Sequence, residues 1–304
     1  RMAEEFERKG EEFKDVIKMG RTHLQDAVPI TLGQEMISYG SIVRRCIWRI
    51  TRSLGSLQNI NMGGTAVGTG LNAEVEYIKK FPGILSDLVG FQFESAPNLI
   101  DTTNSTDCFA EVSAALKVSA LSLIKIANDM RLMASGPRCG FNEIKLPARQ
   151  PGSSIMPGKV NPVIAEVMDQ TCYHVIGNDL AITLAVENGQ LELNVMEPVL
   201  AFNLFNSFRY LTNAIDTFTT KLLKDLEANK EQCQKWVDNS VGIITALLPH
   251  LGYDKCSAIA KEAYNEGTPI KEILMREKLF TKERMDEILS PIEMTTPGIA
   301  GGKK

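Results

Sequence analysis

Residues 152–162 read Gly-Ser-Ser-Ile-Met-Pro-Gly-Lys-Val-Asn-Pro, placing two hydroxyls, a lysine and an amide within nine residues. The two glycines and two prolines forbid a continuous helix, so a loop is expected. A loop that concentrates Ser153, Ser154, Lys159 and Asn161 can converge backbone N–H groups, a fixed positive charge and hydrogen-bond donors on an anion. Such a set suits a dianion developing from a carboxylate. Out of context a Ser-Ser pair is equally a turn or a helix cap, and a loop lysine is ordinarily solvated.

Two glycine-rich stretches imitate nucleotide sites and fail on spacing. Five residues separate Gly152 from Gly158 where a phosphate loop requires four, and Val160 follows the lysine where a metal-binding Ser or Thr belongs. The run from Gly63 to Gly70 lacks a preceding strand and an acidic ribose partner at suitable distance. Its glycine density fits either a substrate-facing wall or a tight turn where helices meet.

The chain has 304 residues, 44% of them apolar, with a formal net charge of −4. Lysines and arginines are scattered without a basic block, which argues against nucleic acid. No apolar run approaches the roughly 20 residues that span a bilayer, so no membrane segment is expected. Cys46, Cys108, Cys139, Cys172, Cys233 and Cys256 form no Cys-x-x-Cys pair, which fits reduced thiols and a cytoplasmic location. Cys46 reads as core and Cys139 as a small space-filler beside glycines.

Helical periodicity dominates. In 34–60 the apolar positions Tyr39, Val43, Cys46, Ile47, Ile50, Leu54 and Leu57 recur every three or four residues as one stripe. Segment 106–134 is apolar on nearly every side, 162–186 is similar with proline at its start, and 197–226 supplies another long helix. Segment 1–18 reads as a charged helix. An all-α fold is expected: a long-helix bundle over 1–229 and a small helical C-terminal domain over 230–304, where Pro249, Gly252, Gly267, Pro269 and Pro291 break the pattern. Surplus apolar faces are expected to be covered by identical chains.

Four segments together resemble the fumarase/aspartase superfamily: Gly20-Arg21-Thr22-His23-Leu24-Gln25-Asp26-Ala27, Gly63 to Asn72, Ser135 to Gly140, and the loop from Gly152 to Pro162. Glu192 to Pro198, Asn161-Pro162-Val163 and Met294 to Gly301 resemble aspartate ammonia-lyases, those of Bacillus type in particular. The resemblance implies a homotetramer with a long-helix core and sites shared between subunits, acting on a small dicarboxylate. It also implies reversible deamination of aspartate to fumarate and ammonia. The nearest alternatives are fumarate hydratase and a catalytically incomplete helical oligomer on the same scaffold. The family's N-terminal domain has no counterpart before Arg1, so the chain is expected to be a fragment.

By the same resemblance Ser153 is the base that takes the Cβ proton. Lys159 and Asn161 hold the α-carboxylate, Ser154 contacts the other carboxylate, and Thr22 and His23 bind near the amino group. Glu166 orients the histidine. His23 alone would more often be structural, as His174 and His250 are expected to be. Asn72 and Asn194, polar in apolar surroundings, are further candidates for hydrogen bonds to the site. No organic cofactor is implied. No carboxylate cluster with metal-ligand spacing is visible, and divalent-metal activation among some relatives leaves metal dependence open.

Overall fold

Long apolar helices set the architecture of the computed structural model, which describes residues 1–152 and 155–302. Helix α1 (Met2–Glu12) leads into the hairpin β1 (Ile17–Thr22) and β2 (Gln25–Thr31), and α2 (Leu32–Ser53) follows at once. Next come β3 (Asn59–Ile60), α3 (Val75–Val89), β4 (Glu94–Ser95), α4 (Leu99–Asn104) and α5 (Asp107–Met133). After β5 (Ile144–Lys145) run α6 (Val163–Glu187) and α7 (Glu197–Phe218), then β6 (Glu227–Ala228). The rest is short helices: α8 (Lys230–Asn239), α9 (Leu248–Leu251), α10 (Tyr253–Glu266), α11 (Ile270–Arg276), α12 (Lys282–Ile288) and α13 (Pro291–Thr295). Strands pair only two by two, β1 with β2 and β5 with β6 antiparallel, β3 with β4 parallel. The fold is all-α with small sheets as accessories.

Local chemistry accounts for the boundaries. Thr31 caps α2 reciprocally: its Oγ1 accepts from the Gln34 amide, and the Gln34 side chain accepts from the Thr31 amide, both at 3.0 Å. Helix α2 stops at Ser53 and tightens into a 3₁₀ turn, Leu54–Leu57, while α7 widens into a π turn, Thr219–Leu223. Segment 1–18 departs from its helical reading, because α1 ends at Glu12 and Ile17 opens a strand. Val16 and Ile17 are β-branched and favour the pleated ladder; Ile17 pairs with Thr31, and the Val16 carbonyl accepts the Leu32 amide at 2.8 Å.

Helix α5 lies along α6, α6 along α7, and α2 against α1 and α5. Their shared core includes Leu116, Leu123, Ile126 and Met130 from α5, Met168, Cys172 and Ile182 from α6, and Leu204 and Leu211 from α7. Burial on every side, as the composition of 106–134 and 162–186 suggested, is not reached within one chain. Leu121 on α5, Leu180 and Leu184 on α6, and Phe202 and Phe205 on α7 are exposed. A second core gathers Val237, Ile243, Leu247, Ile259, Ile273, Leu274 and Ile288 from the C-terminal helices around Ile17 and Met19 of β1. The hairpin root therefore belongs to the C-terminal core, while Val16 just before it belongs to the bundle core. No helix among the described residues is long and apolar enough to cross a membrane.

Helices α1 and α2 meet through bare backbone. A Cβ on Gly33 would stand 2.4 Å from the Gly10 carbonyl oxygen and 2.8 Å from the Lys14 nitrogen, closer than any packing tolerates. Gly33→Ala is expected to cost about 1–3 kcal/mol in urea unfolding. Gly83→Ala within α3, whose Cβ meets nothing within 4 Å, serves as the unhindered control and is expected to gain about 0.5–1 kcal/mol. Equal midpoints for the two variants would refute the backbone contact.

Candidate active site

The loop that carries the sequence pattern folds back on itself before entering α6. The Lys159 amide donates to the Met156 carbonyl at 3.2 Å, and the Val163 amide to the Asn161 carbonyl at 2.9 Å. A Cβ on Gly152 would lie 2.4 Å from the Lys159 carbonyl oxygen, so only glycine lets the two ends of the loop approach this closely. Ser153 and Ser154 lie outside the described residues. From Ile155 to Val160 the loop is exposed.

Lys159 and Asn161 line one cavity of about 880 Å³ together with Asn128 and Arg131 of α5, Asn142, and Lys145 of β5. Three cations and three amides thus surround a single hollow. The Arg131 charge is already matched, since its Nη1 lies 3.0 Å from Asp169 Oδ2 and its Nη2 3.8 Å from Glu166 Oε1. Lys145 and Lys159 make no ion pair among the described residues. Their positive charge is the surplus that would draw an anion into the cavity. Of these residues Asn128, Arg131, Asn142 and Lys145 escaped sequence reasoning. The signal available was their closeness to the Ser135–Gly140 segment, whose Ser135, Gly136 and Pro137 line the same hollow.

Thr22 and His23 stand elsewhere on the chain, at the tip of the β1–β2 hairpin. Thr22 pairs with Gln25 across a two-residue turn of His23 and Leu24, whose φ values are 55° and 60°. Residues other than glycine, asparagine, aspartate and histidine are rare in this region, and a non-glycine residue held there costs about 1–3 kcal/mol and persists where the surroundings impose it. Such strain concentrates at functional positions. All four tip residues are exposed, and none of them lines the Lys159 cavity. Within one chain the partner of Glu166 is Arg131, not His23.

Beneath the hairpin lies a buried charge cluster. Lys18 Nζ is 2.9 Å from both Glu35 Oε2 and Glu143 Oε2, and Arg21 Nη1 donates to Glu143 Oε1 at 2.7 Å. Burial pulls the Lys18 ammonium down, yet Glu35 and Glu143 outweigh it and hold the group above its ordinary value. Burial keeps the Glu35 carboxyl above its own ordinary value despite Lys18. Tyr39 is pushed upward by burial and by Glu35 and Asp129, and its hydroxyl donates to Asp129 at 2.8 Å.

Other candidates resolve as structural. The Asn194 amide is buried and satisfied, donating to Thr106 Oγ1 and the Ala185 carbonyl at 3.0 Å and accepting from the Met196 amide at 2.9 Å, which ties the end of α6 to the start of α7. Asn72 occupies an exposed left-handed turn. His250 Nε2 bonds the Ala300 carbonyl at 2.7 Å, and His174 meets the edge of Tyr210. Cys46 is buried as expected, whereas Cys139 is exposed and fills no space.

Comparison with known proteins gives this arrangement its relatives. A family model described as Lyase matches residues 1–177, and one described as Fumarase C C-terminus matches residues 243–296. An aspartate ammonia-lyase from Bacillus sp is 56% identical over 99% of this chain and 64% of its own length. One from Helicobacter pylori is 50% identical over 96% of this chain and 62% of its own. Among solved structures, a fumarate lyase:delta crystallin from Brucella melitensis bound to cobalt superposes with a TM-score of 0.93 at 43% identity, covering 97% of this chain and 64% of that one. A class II fumarase from Schistosoma mansoni gives 0.91 at 36% identity, covering 96% and 64%. The chain belongs to the fumarase/aspartase superfamily of lyases, and it is 56% and 55% identical to aspartate ammonia-lyases from Bacillus sp and Bacillus subtilis. It spans 64% of the length of the Bacillus relative.

Closure of the loop base on Lys159 makes Gly152 a sensitive position. Gly152→Ala is expected to speed amide hydrogen exchange at Lys159 at least about tenfold. Exchange at the wild-type rate would show that the loop closes without this close approach.

Proposed function

We propose that the polypeptide carrying this sequence is an aspartate ammonia-lyase, a carbon–nitrogen lyase that converts L-aspartate reversibly to fumarate and ammonia. The observation that carries this reading is the hollow where Lys159, Asn161 and Lys145 supply unmatched positive charge and amide groups around one volume. The identity to aspartate ammonia-lyases supports the choice of a C–N over a C–O bond.

The proton to be removed sits on the carbon beside the β-carboxylate, a weak carbon acid. Ser153 takes that proton as an alkoxide, and the electron pair moves into the carboxylate to form an aci-carboxylate dianion. The pair then returns to make the double bond as ammonia leaves the neighbouring carbon on the opposite face. Catalysis consists of making the dianion affordable through charge and N–H donors placed before it forms. Ser154 grips the carboxylate on which this charge develops, and Lys159 and Asn161 grip the α-carboxylate. Thr22 and His23 face the amino group, with Glu166 behind the histidine.

Thr22 and His23 lie outside the cavity of their own chain, so this reading requires sites shared between subunits. The exposed Leu180, Leu184, Phe202 and Phe205 on α6 and α7 supply the apolar faces that a homotetramer would cover. Sedimentation of the native polypeptide is expected to give a tetramer.

The assay follows fumarate absorbance with aspartate, then with malate. Turnover of malate alone would replace this assignment with a hydratase. Ser153→Ala is expected to lower kcat about 10²–10⁴-fold with the assembly intact by sedimentation, and a near-normal rate would exclude Ser153 as the base.

A further inference from the structure

We propose that Glu143 is a positioning residue that fixes the Thr22–His23 tip relative to the anion cavity, acting through Arg21 and Lys18. Its kinetic consequence rests on the lyase reading; its mechanical consequence does not.

The backbone alone does not hold the tip. Pairing slips between Met19 and Arg21, where Met19 faces Pro29 but Arg21 already faces Asp26. Two residues of β2 thus oppose Gly20 alone, and Pro29 has no N–H to give the ladder. Beyond this break, only the Arg21–Asp26 and Thr22–Gln25 pairs precede a turn held at two unfavourable φ values. A strained tip on an interrupted ladder needs anchorage from outside the hairpin.

Glu143 supplies it. Its side chain has no exposed surface, and its oxygens take Arg21 Nη1 at 2.7 Å and Lys18 Nζ at 2.9 Å, one cation from each side of the break. The Arg21 guanidinium also lies over the Phe141 ring, 4.1 Å from its centre. Phe141 is held in turn by Trp236 Nε1, which donates to its carbonyl at 2.9 Å. Glu143 is immobile at the backbone as well, for its amide donates to the Met133 carbonyl at 2.9 Å and its carbonyl accepts the Asn229 amide at 2.8 Å.

Its neighbours give the anchor its meaning. Asn142, Ile144 and Lys145 all line the Lys159 cavity, while Glu143 lines the smaller hollow under the hairpin together with Lys18 and Arg21. One four-residue segment thus presents cavity wall on one side and the hairpin's counter-charge on the other. Lys18 and Arg21 balance Glu35 and Glu143, so removing any one leaves a buried charge unmatched. Few arrangements of these segments match all four charges, and the tip takes its position from this one.

The test uses the native polypeptide with Arg21→Gln, Arg21→Lys and Glu143→Gln. For Arg21→Gln, amide hydrogen exchange at residues 22–26 is expected to accelerate at least about tenfold while exchange in α5 and α6 stays at the wild-type rate. KM for aspartate should rise at least about tenfold with kcat within about threefold, the pattern of lost substrate binding. Arg21→Lys should recover most of both effects. Glu143→Gln should reproduce them, and if it does not fold, Arg21→Gln decides alone. A folded Arg21→Gln protein whose tip exchanges at the wild-type rate, or whose KM stays within threefold, overturns the proposal. Wild-type protein inert toward aspartate, with faster tip exchange in Arg21→Gln, would refute the lyase reading and leave the anchor standing.

Discussion

A carboxylate sealed from water must have opposite charge at contact distance, and the placement of Glu143 imposes that demand on three parts of the chain at once. Lys18 and Arg21 come from the hairpin, Glu35 from α2, and Glu143 from the segment after α5. Desolvating such groups costs several kcal/mol each, and breaking one partnership typically costs about 3–5 kcal/mol. The cluster adds little net stability by comparison with an apolar core. Its effect is geometric, because few arrangements of these segments satisfy all four charges.

Charge follows a different logic in the larger cavity. There Arg131 is neutralised by Asp169 and Glu166, and Lys145 and Lys159 are left without a counter-ion among the described residues. Matched charge holds the walls, and unmatched charge faces the open hollow between them. The division explains why Arg131 can be tied down by two carboxylates without cancelling the attraction of the site. It also assigns Glu166 an immediate neighbour in its own chain, which any contact to histidine from elsewhere must share.

The long helices were legible because their apolar positions repeat over many turns; α5 begins and ends within one residue of 106–134. The loop before α6 was legible from Gly152, Pro157, Gly158 and Pro162, whose backbone restrictions need no tertiary information. The hairpin was not. Its apolar residues Val16, Ile17 and Met19 fit a helix as well as a strand over so short a run, and its turn uses His23 and Leu24 in place of the Asn-Gly pair that announces a two-residue connection. Glu143 was invisible for a related reason. One acidic residue between Asn142 and Ile144 carries no pattern, and its importance arises from Lys18 and Arg21, more than a hundred residues earlier. Asn194 erred the other way, since a lone amide amid apolar residues looks the same whether it faces a substrate or closes a helix junction.

The division of the hairpin between two cores bears on how the molecule is made. Ile17 and Met19 pack among residues reaching to Ala300, and Ser240 donates to Asp26 at 2.7 Å across 214 positions. Helices α5 to α7 follow one another in sequence and can associate as soon as they leave the ribosome. The hairpin cannot, for half of its support is translated more than two hundred residues later. Nascent chains would therefore carry an assembled bundle and an unanchored strand pair until residues 237–300 have been made, which is the interval when a chaperone would have something to hold.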